Sequence, residues 1–221
     1  MAEPGAVLVV APHHDDEVIG CGGTIAGWVR ASVRVDVVYL TAGYAGLPHI
    51  ADEAEATALR EAEAAAAAHI LGISQMFFWR YPDRGLAYSP AIVQRLVRLL
   101  REGGYRGLLF PHAAEGDYEH RVAHHIAGEA AWLASSSYFP ALGPPAELAR
   151  ILLYEVWTPI QQVNWKQDIS AVLQLKIAAL TAYRSQFTPQ QAEQIVGLNC
   201  YRGAMSSHPL GGAEAFQFHT R

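Results

Sequence analysis

Cysteine is nearly absent from the chain. Only Cys21 and Cys200 occur, far apart and without a CxxC pair, which argues against a disulfide scaffold or a thiolate zinc cluster and fits a reducing compartment. No apolar run approaches the ~20 residues of a membrane-spanning helix, and Met1-Ala2-Glu3-Pro4-Gly5 lacks the basic start and apolar segment of a signal peptide. A soluble, cytoplasmic protein with no membrane span is the expectation. Positive charge is scarce and scattered: 16 Lys and Arg face 21 Asp and Glu, for a net charge of -5 and a pI near 6.0. Such a surface offers no basic field to a phosphate backbone, so nucleic acid is not an expected partner. Internal repeats and heptads are missing, and low complexity is limited to the Ala-rich stretch at 62–68.

What remains is ordinary globular material: 221 residues, 51% hydrophobic and 17% charged. Apolar, β-branched runs at 6–10, 33–40, 74–79 and 106–110 alternate with segments of helical period near 18–30, 52–71 (stopped by Gly72) and 90–101. This alternation predicts an α/β fold with a mostly parallel sheet between helical layers. Beyond the Ser-, Pro- and Gly-rich stretch from Ser135 to Pro145 the pattern becomes less regular, with a strand at 150–157, helices at 170–184 and 189–196, and a strand near 213–218. The tail is too short to hold a core of its own. One domain spanning 1–221 is therefore expected, with a core of about 5–137 and a C-terminal elaboration of about 146–221.

Chemistry concentrates in two places. Ala11-Pro12-His13-His14-Asp15-Asp16-Glu17 follows the apolar run of the first strand, where an open α/β sheet binds its ligands. Asp15 or Asp16 as a helix N-cap is the structural alternative, although capping does not explain the two adjacent histidines. The second concentration runs from Pro111 to His120 and on through His124 and His125, after the fourth strand. Right-handed crossovers would bring both to one sheet edge, together with the Gly-rich loop at 41–48 and the turn at 80–85. His13 and Asp16 can grip one borderline divalent ion from a single turn, with a third ligand from the histidines of 112–125 and an open position for water. His49, His69, His208 and His219 read as surface or core histidines, His208 being the least settled. A dinucleotide site at Gly20, Gly22 and Gly23 is a weaker reading, because these glycines come about ten residues after the strand and follow a carboxylate pair that would repel pyrophosphate.

The first cluster, with Gly20, Gly22 and Gly23, resembles the AHPDDE signature of the PIG-L/LmbE-like zinc N-deacetylases, which act on N-acetylglucosaminyl groups. Leu59-Arg60-Glu61-Ala62-Glu63, Tyr81-Pro82-Asp83, Glu119-His120-Arg121, the stretch from Lys176 to Ser185-Gln186, and Ala213-Glu214-Ala215-Phe216 resemble further signatures of that family in order. The resemblance implies a Rossmann-like three-layer αβα fold and a metal-dependent hydrolase, an amidohydrolase acting on linear amides. It implies His13, Asp16 and His120 as ligands of zinc or another divalent metal, and Asp15 as the general base that activates a metal-bound water. Arg60 and Asp83 become candidate sugar contacts. The implied substrate is an N-acetylglucosamine-containing small molecule or glycoconjugate; a larger amide conjugate and a metal-containing, non-catalytic binding protein are the alternatives. A homo-oligomer is expected from the resemblance only.

Three positions depart from the pattern. His14 stands where the family has Pro, which would loosen the turn or offer another ligand. Glu119 replaces Asp. Asp117 occupies the position of a histidine often placed to stabilise the oxyanion, and a carboxylate cannot donate unless protonated. His124, His208 or an arginine would then have to serve, with Asp117 left as a neighbour of the ligands.

Overall fold

Side-chain alternation along the first strand sets the layering of this computed structural model, which describes residues 5–219. In β1 (Val7–Ala11), Val7, Val9 and Ala11 enter one apolar layer while Leu8 and Val10 enter the other. Its neighbour β2 (Val35–Thr41) repeats the division, with Val35, Val37 and Tyr39 on the first face and Val38 and Leu40 on the second. A strand apolar on both faces needs cover on both sides. Helices α1 (Asp16–Arg30), α2 (Glu53–Leu71) and α5 (Leu173–Ala182) cover the first face; α3 (Pro90–Glu102) and α4 (Tyr118–Ala134) cover the second.

With β3 (Gln75–Tyr81), β4 (Gly107–Pro111), β5 (Arg150–Tyr154), β6 (Trp165–Asp168) and β7 (Ala213–Phe218), the sheet runs β3-β2-β1-β4-β5-β7-β6. The first five strands are parallel, and β7 is antiparallel to both of its neighbours. The α/β expectation holds, and the first four strands lie close to their expected positions. The C-terminal part differs in detail. The strand expected at 150–157 ends at Tyr154, because the next backbone donors turn away to the Glu115 carboxylate. Neither β6 nor the short helix α7 (Gly197–Ala204), which follows α6 (Pro189–Ile195), was expected: β6 is a four-residue edge strand, and α7 begins on a glycine. Through β6 and β7 the irregular tail joins the main sheet.

Strand order reverses at β1: β2 and β3 extend to one side and β4 lies on the other. The crevice beyond the carboxyl ends of β1 and β4 is the topological switch point where such sheets bind ligands. One buried ion pair shapes the helix entering it. Helix α1 breaks at Cys21 (φ -146°, ψ 18°). The backbone donors of Gly23 and Thr24 go to Glu214 at 2.8 and 2.7 Å, and the carbonyl of Ile19 accepts from Lys176 Nζ at 2.7 Å. Lys176 and Glu214 are themselves 2.7 Å apart and fully buried. Close approach explains two of the helix glycines: a Cβ at Gly20 would stand 2.3 Å from the Tyr154 ring, and one at Gly23 would stand 2.6 Å from Ile169. No helix among the described residues is long and apolar enough to cross a membrane.

A second polar node orders the stretch after α4. The buried Arg101 guanidinium donates to the carbonyls of Leu133, Ala134, Ser136, Tyr138, Phe139 and Gly143 at 2.8–3.2 Å. Substituting Arg101→Ala strands these acceptors, and a loss of about 2–4 kcal/mol is expected in urea unfolding. Lys176→Met leaves Glu214 as an unpaired buried charge, and the same measurement should show a loss of about 3–5 kcal/mol.

Candidate metal centre and active-site cleft

The turn leaving β1 is strained where it matters. Asp15 takes a left-handed conformation (φ 111°), which ordinary L side chains adopt at a cost of about 1–3 kcal/mol. With the chain turned this way Asp16 opens α1 and its Oδ2 accepts from the His13 backbone N–H at 2.8 Å. His120 reaches the same point from the first turn of α4, whose N-cap is Asp117, with Oδ1 accepting from Glu119 N at 2.8 Å.

His13 Nδ1, Asp16 Oδ2 and His120 Nε2 form a nearly equilateral triangle with edges of 3.3, 3.2 and 3.3 Å. Ligand atoms ~2.0–2.1 Å from a tetrahedral ion stand about 3.3–3.4 Å apart, so these three atoms could hold one metal ion. The outer nitrogen of each ring faces a carboxylate. Glu119 Oε2 lies 2.8 Å from His13 Nε2, and Glu115 Oε2 lies 3.4 Å from His120 Nδ1, off the hydrogen-bond direction. Carboxylates behind histidine ligands fix ring orientation and raise ligand basicity.

Charge in the cluster is arranged for a cation. Burial works against protonated rings, yet Asp16 and Glu119 hold His13 up at about 10, while Asp16 and Glu115 hold His120 up at about 9. Burial likewise opposes ionisation of Asp16, but His120 and His13 drive its carboxyl well below the usual carboxylate range. Protons on the rings stand where a divalent ion would displace them.

Asp15 sits beside the triangle. Its Oδ2 accepts from Arg60 Nη2 at 3.1 Å, and the same guanidinium donates to the His14 carbonyl. Burial pushes Asp15 up to about 6, with the Arg60 charge opposing and the Asp16 charge assisting. A carboxylate of that strength is ionised at neutral pH and still basic enough to take a proton. Glu17 lies beneath, fully buried, accepting from the hydroxyls of Tyr39 (2.9 Å) and Tyr183 (2.6 Å) and from Asp15 N (3.2 Å). His14 is not a further ligand. Its buried ring stacks on Tyr39 and Phe78, outside the cleft lining, and burial with the Arg60 charge lowers it to about 3.

These groups open into a cleft of about 140 Å³ whose walls include Asp83, Arg84, Asp117, Trp157 and Gln186. The structure thus brings together His13, Asp15, Asp16, His120, Arg60, Asp83 and Asp117. Asp83 is nevertheless occupied: its two oxygens accept from Gly43 N and Ala45 N at 2.8 and 2.7 Å, tying the Gly-rich loop to the turn after β3. His124 and His208 lie elsewhere. His124 is held by the Pro111 carbonyl at 2.9 Å among the rings of Phe110 and His219, and His208 lines a separate groove with Asn164, Lys166 and Ser206. Sequence reasoning missed the carboxylates behind the ligands. In sequence, Glu115 reads as one more acid near a histidine and Glu119 only as a replacement for Asp.

Comparison with known proteins agrees with the geometry. The PIG-L family, described as GlcNAc-PI de-N-acetylase, matches residues 8–133. The diacetylchitobiose deacetylase of Thermococcus kodakarensis is 28% identical over 96% of this chain and 82% of its own length. Among solved structures, N,N'-diacetylchitobiose deacetylase from Pyrococcus horikoshii superposes with a TM-score of 0.88 at 26% identity, over 98% of this chain and 84% of that one. The 4-carboxy-2-hydroxymuconate hydratase of Pseudomonas putida also reaches 0.88, at 25% identity over 98% and 97%. With a family match covering more than half of its residues, and with His13 and Asp16 of the first motif beside His120 in a group that could hold a metal ion, this chain belongs to the PIG-L family.

Proposed function

We propose that this protein is a zinc-dependent N-deacetylase that removes the acetyl group from an N-acetylglucosamine-containing small molecule or glycoconjugate. The observation that carries this reading is the placement of Asp15, a buried carboxylate of near-neutral strength, beside the His13–Asp16–His120 triangle. Deacetylases acting on N-acetylated sugars recur among the relatives, including 1D-myo-inositol 2-acetamido-2-deoxy-alpha-D-glucopyranoside deacetylases. Fold alone does not select the reaction, since the Pseudomonas hydratase shares it. The scarcity of cysteine fits a cytoplasmic enzyme.

His13, Asp16 and His120 would hold the ion, and Glu119 and Glu115 would keep the two rings aimed at it. A bound zinc ion supplies Lewis-acid polarisation and acidifies water at neutral pH. Asp15 takes a proton from the attacking water and returns it to the departing amine. Arg60 holds the Asp15 carboxylate in line for both transfers. Asp83 serves the substrate through the loop it anchors, and the half-exposed Trp157 offers a flat apolar surface to the sugar ring.

Two measurements test the reading. Zinc added to metal-free protein at about 100 times its dissociation constant should stabilise the fold by about 2.7 kcal/mol, seen as a higher Tm, and Asp16→Asn or His120→Ala should abolish the gain. Asp15→Asn should retain zinc yet lower kcat for amine release from a panel of N-acetylglucosaminides by about 10²–10⁴-fold. Equal activity in wild type and this variant would remove Asp15 as the base.

A further inference from the structure

We propose that Arg84 is a catalytic residue of this centre, donating hydrogen bonds to the carbonyl oxygen of the scissile amide and to the oxyanion that develops there. The proposal rests on the deacetylation reading above. Its starting point is backbone strain. Arg84 has φ of 60°, in the left-handed region, although Gly85 follows and could have taken that conformation without penalty. Strain of this kind persists only where the surroundings over-determine it, and such residues cluster at functional sites.

The surroundings fix Arg84 from two directions. Its Nη1 lies 2.6 Å from Asp117 Oδ2, on the N-cap residue of α4. Two residues on, Leu86 N donates to Glu119 Oε1 at 3.0 Å, and the other oxygen of that carboxylate holds His13. The loop carrying Arg84 is therefore tied through one side chain to a ligand of the metal centre. Asp117 itself has a carboxylate oxygen within 4.8 Å of a His13 ring nitrogen and of a Glu119 oxygen.

Donor supply in the cleft points to the same residue. Gly43 N and Ala45 N are engaged by Asp83, the Gln186 amide by Gly46 O and Ser185 Oγ, and Arg60 Nη2 by Asp15 and the His14 carbonyl, while Arg60 Nε and Nη1 are buried away from the cleft surface. Arg84 is the other arginine on the wall. Its side chain is 64% exposed, and one of the five N–H groups of a guanidinium is used on Asp117. An exposed ion pair is often inconsequential for stability. Here the pairing aims the spare donors.

In the proposed reaction a water oxygen bonds to the carbonyl carbon while Asp15 accepts a water proton. The carbonyl π pair moves onto oxygen, where Arg84 donates hydrogen bonds without losing a proton. That pair re-forms the C=O bond as the C–N bond breaks, and nitrogen takes the proton from Asp15. The remaining water proton passes to the amine, leaving acetate and the ammonium product.

The test uses zinc-loaded full-length protein. Arg84→Ala should lower kcat about 10²-fold with KM changed less than about threefold and zinc content unchanged, and Arg84→Lys should fall in between. Added guanidinium should restore part of the rate of Arg84→Ala and none of that of Asp15→Asn. Independently of turnover, methylphosphonate, a tetrahedral oxyanion, should bind Arg84→Ala about tenfold more weakly in calorimetry. An unchanged kcat, or a change confined to KM, overturns the proposal. If wild type releases no amine from any substrate, the deacetylation reading fails instead. Methylphosphonate then decides for Arg84: weaker binding by Arg84→Ala supports it and equal affinity overturns it.

Discussion

The site depends on the two oxygens of one buried carboxylate. Glu119 Oε2 holds His13 from the turn after β1, its Oε1 holds Leu86 from the loop after β3, and its own backbone places His120 one residue later in α4. Three segments far apart in sequence are thereby fixed relative to one another. Burial alone would discourage a charge here, but the contacts with His13 and the Leu86 N–H outweigh it and keep Glu119 below the usual glutamate range. The histidine ring is oriented by a full negative charge. A carboxyl group shifted away from Glu119 would release the ring and the loop together.

The C-terminal part serves the same centre from behind. A continuous α1 would have no unused backbone groups at residues 19 to 24, whereas the break at Cys21 leaves polar groups in an apolar layer. Such groups need partners. Lys176 and Glu214 supply them from α5 and β7, with opposite charges that also neutralise each other. Asp16, of the triangle that could hold a metal ion, begins the helix whose bend they secure. The tail thus holds the first turn of the site in place, although it contributes few groups to the cleft.

Much of this was legible in the sequence because it follows from local pattern. Alternation in Val7–Ala11, helical period in Glu53–Leu71 and the position of the His-Asp cluster at a strand end need only near neighbours to be read. Convergence of His13 with His120 followed from the chirality of crossovers. What stayed hidden was set by long-range polar pairing. No local signal separates Glu115, which faces His120, from a surface acid, or shows that Asp83 is engaged by Gly43 and Ala45. The edge strand β6 has too few apolar residues to declare itself, and the end of β5 is dictated by Glu115, 39 positions before Tyr154 in the chain. His124 was a reasonable neighbour of His120 on a helical face, but Pro111 holds its ring in another layer.

The Asp117–Arg84 pair changes the kind of donor the cleft contains. A histidine donates from a given nitrogen only in the right tautomer or when protonated, so its contribution varies with pH near neutrality. Arginine remains charged throughout that range and presents its donors in a rigid plane. Burial opposes ionisation of Asp117, but Arg84, the Glu119 N–H and the His120 and His13 charges together draw it below its usual range, so it stays ionised and keeps that plane oriented. In the proposed reaction an arginine so held would divide the labour: Asp15, whose strength is poised near neutrality, would move the proton, and the developing charge would be met by a group that does not titrate there. A carboxylate at position 117 is then compatible with chemistry at the amide carbonyl, because it contributes the orientation of a neighbour and not a proton of its own.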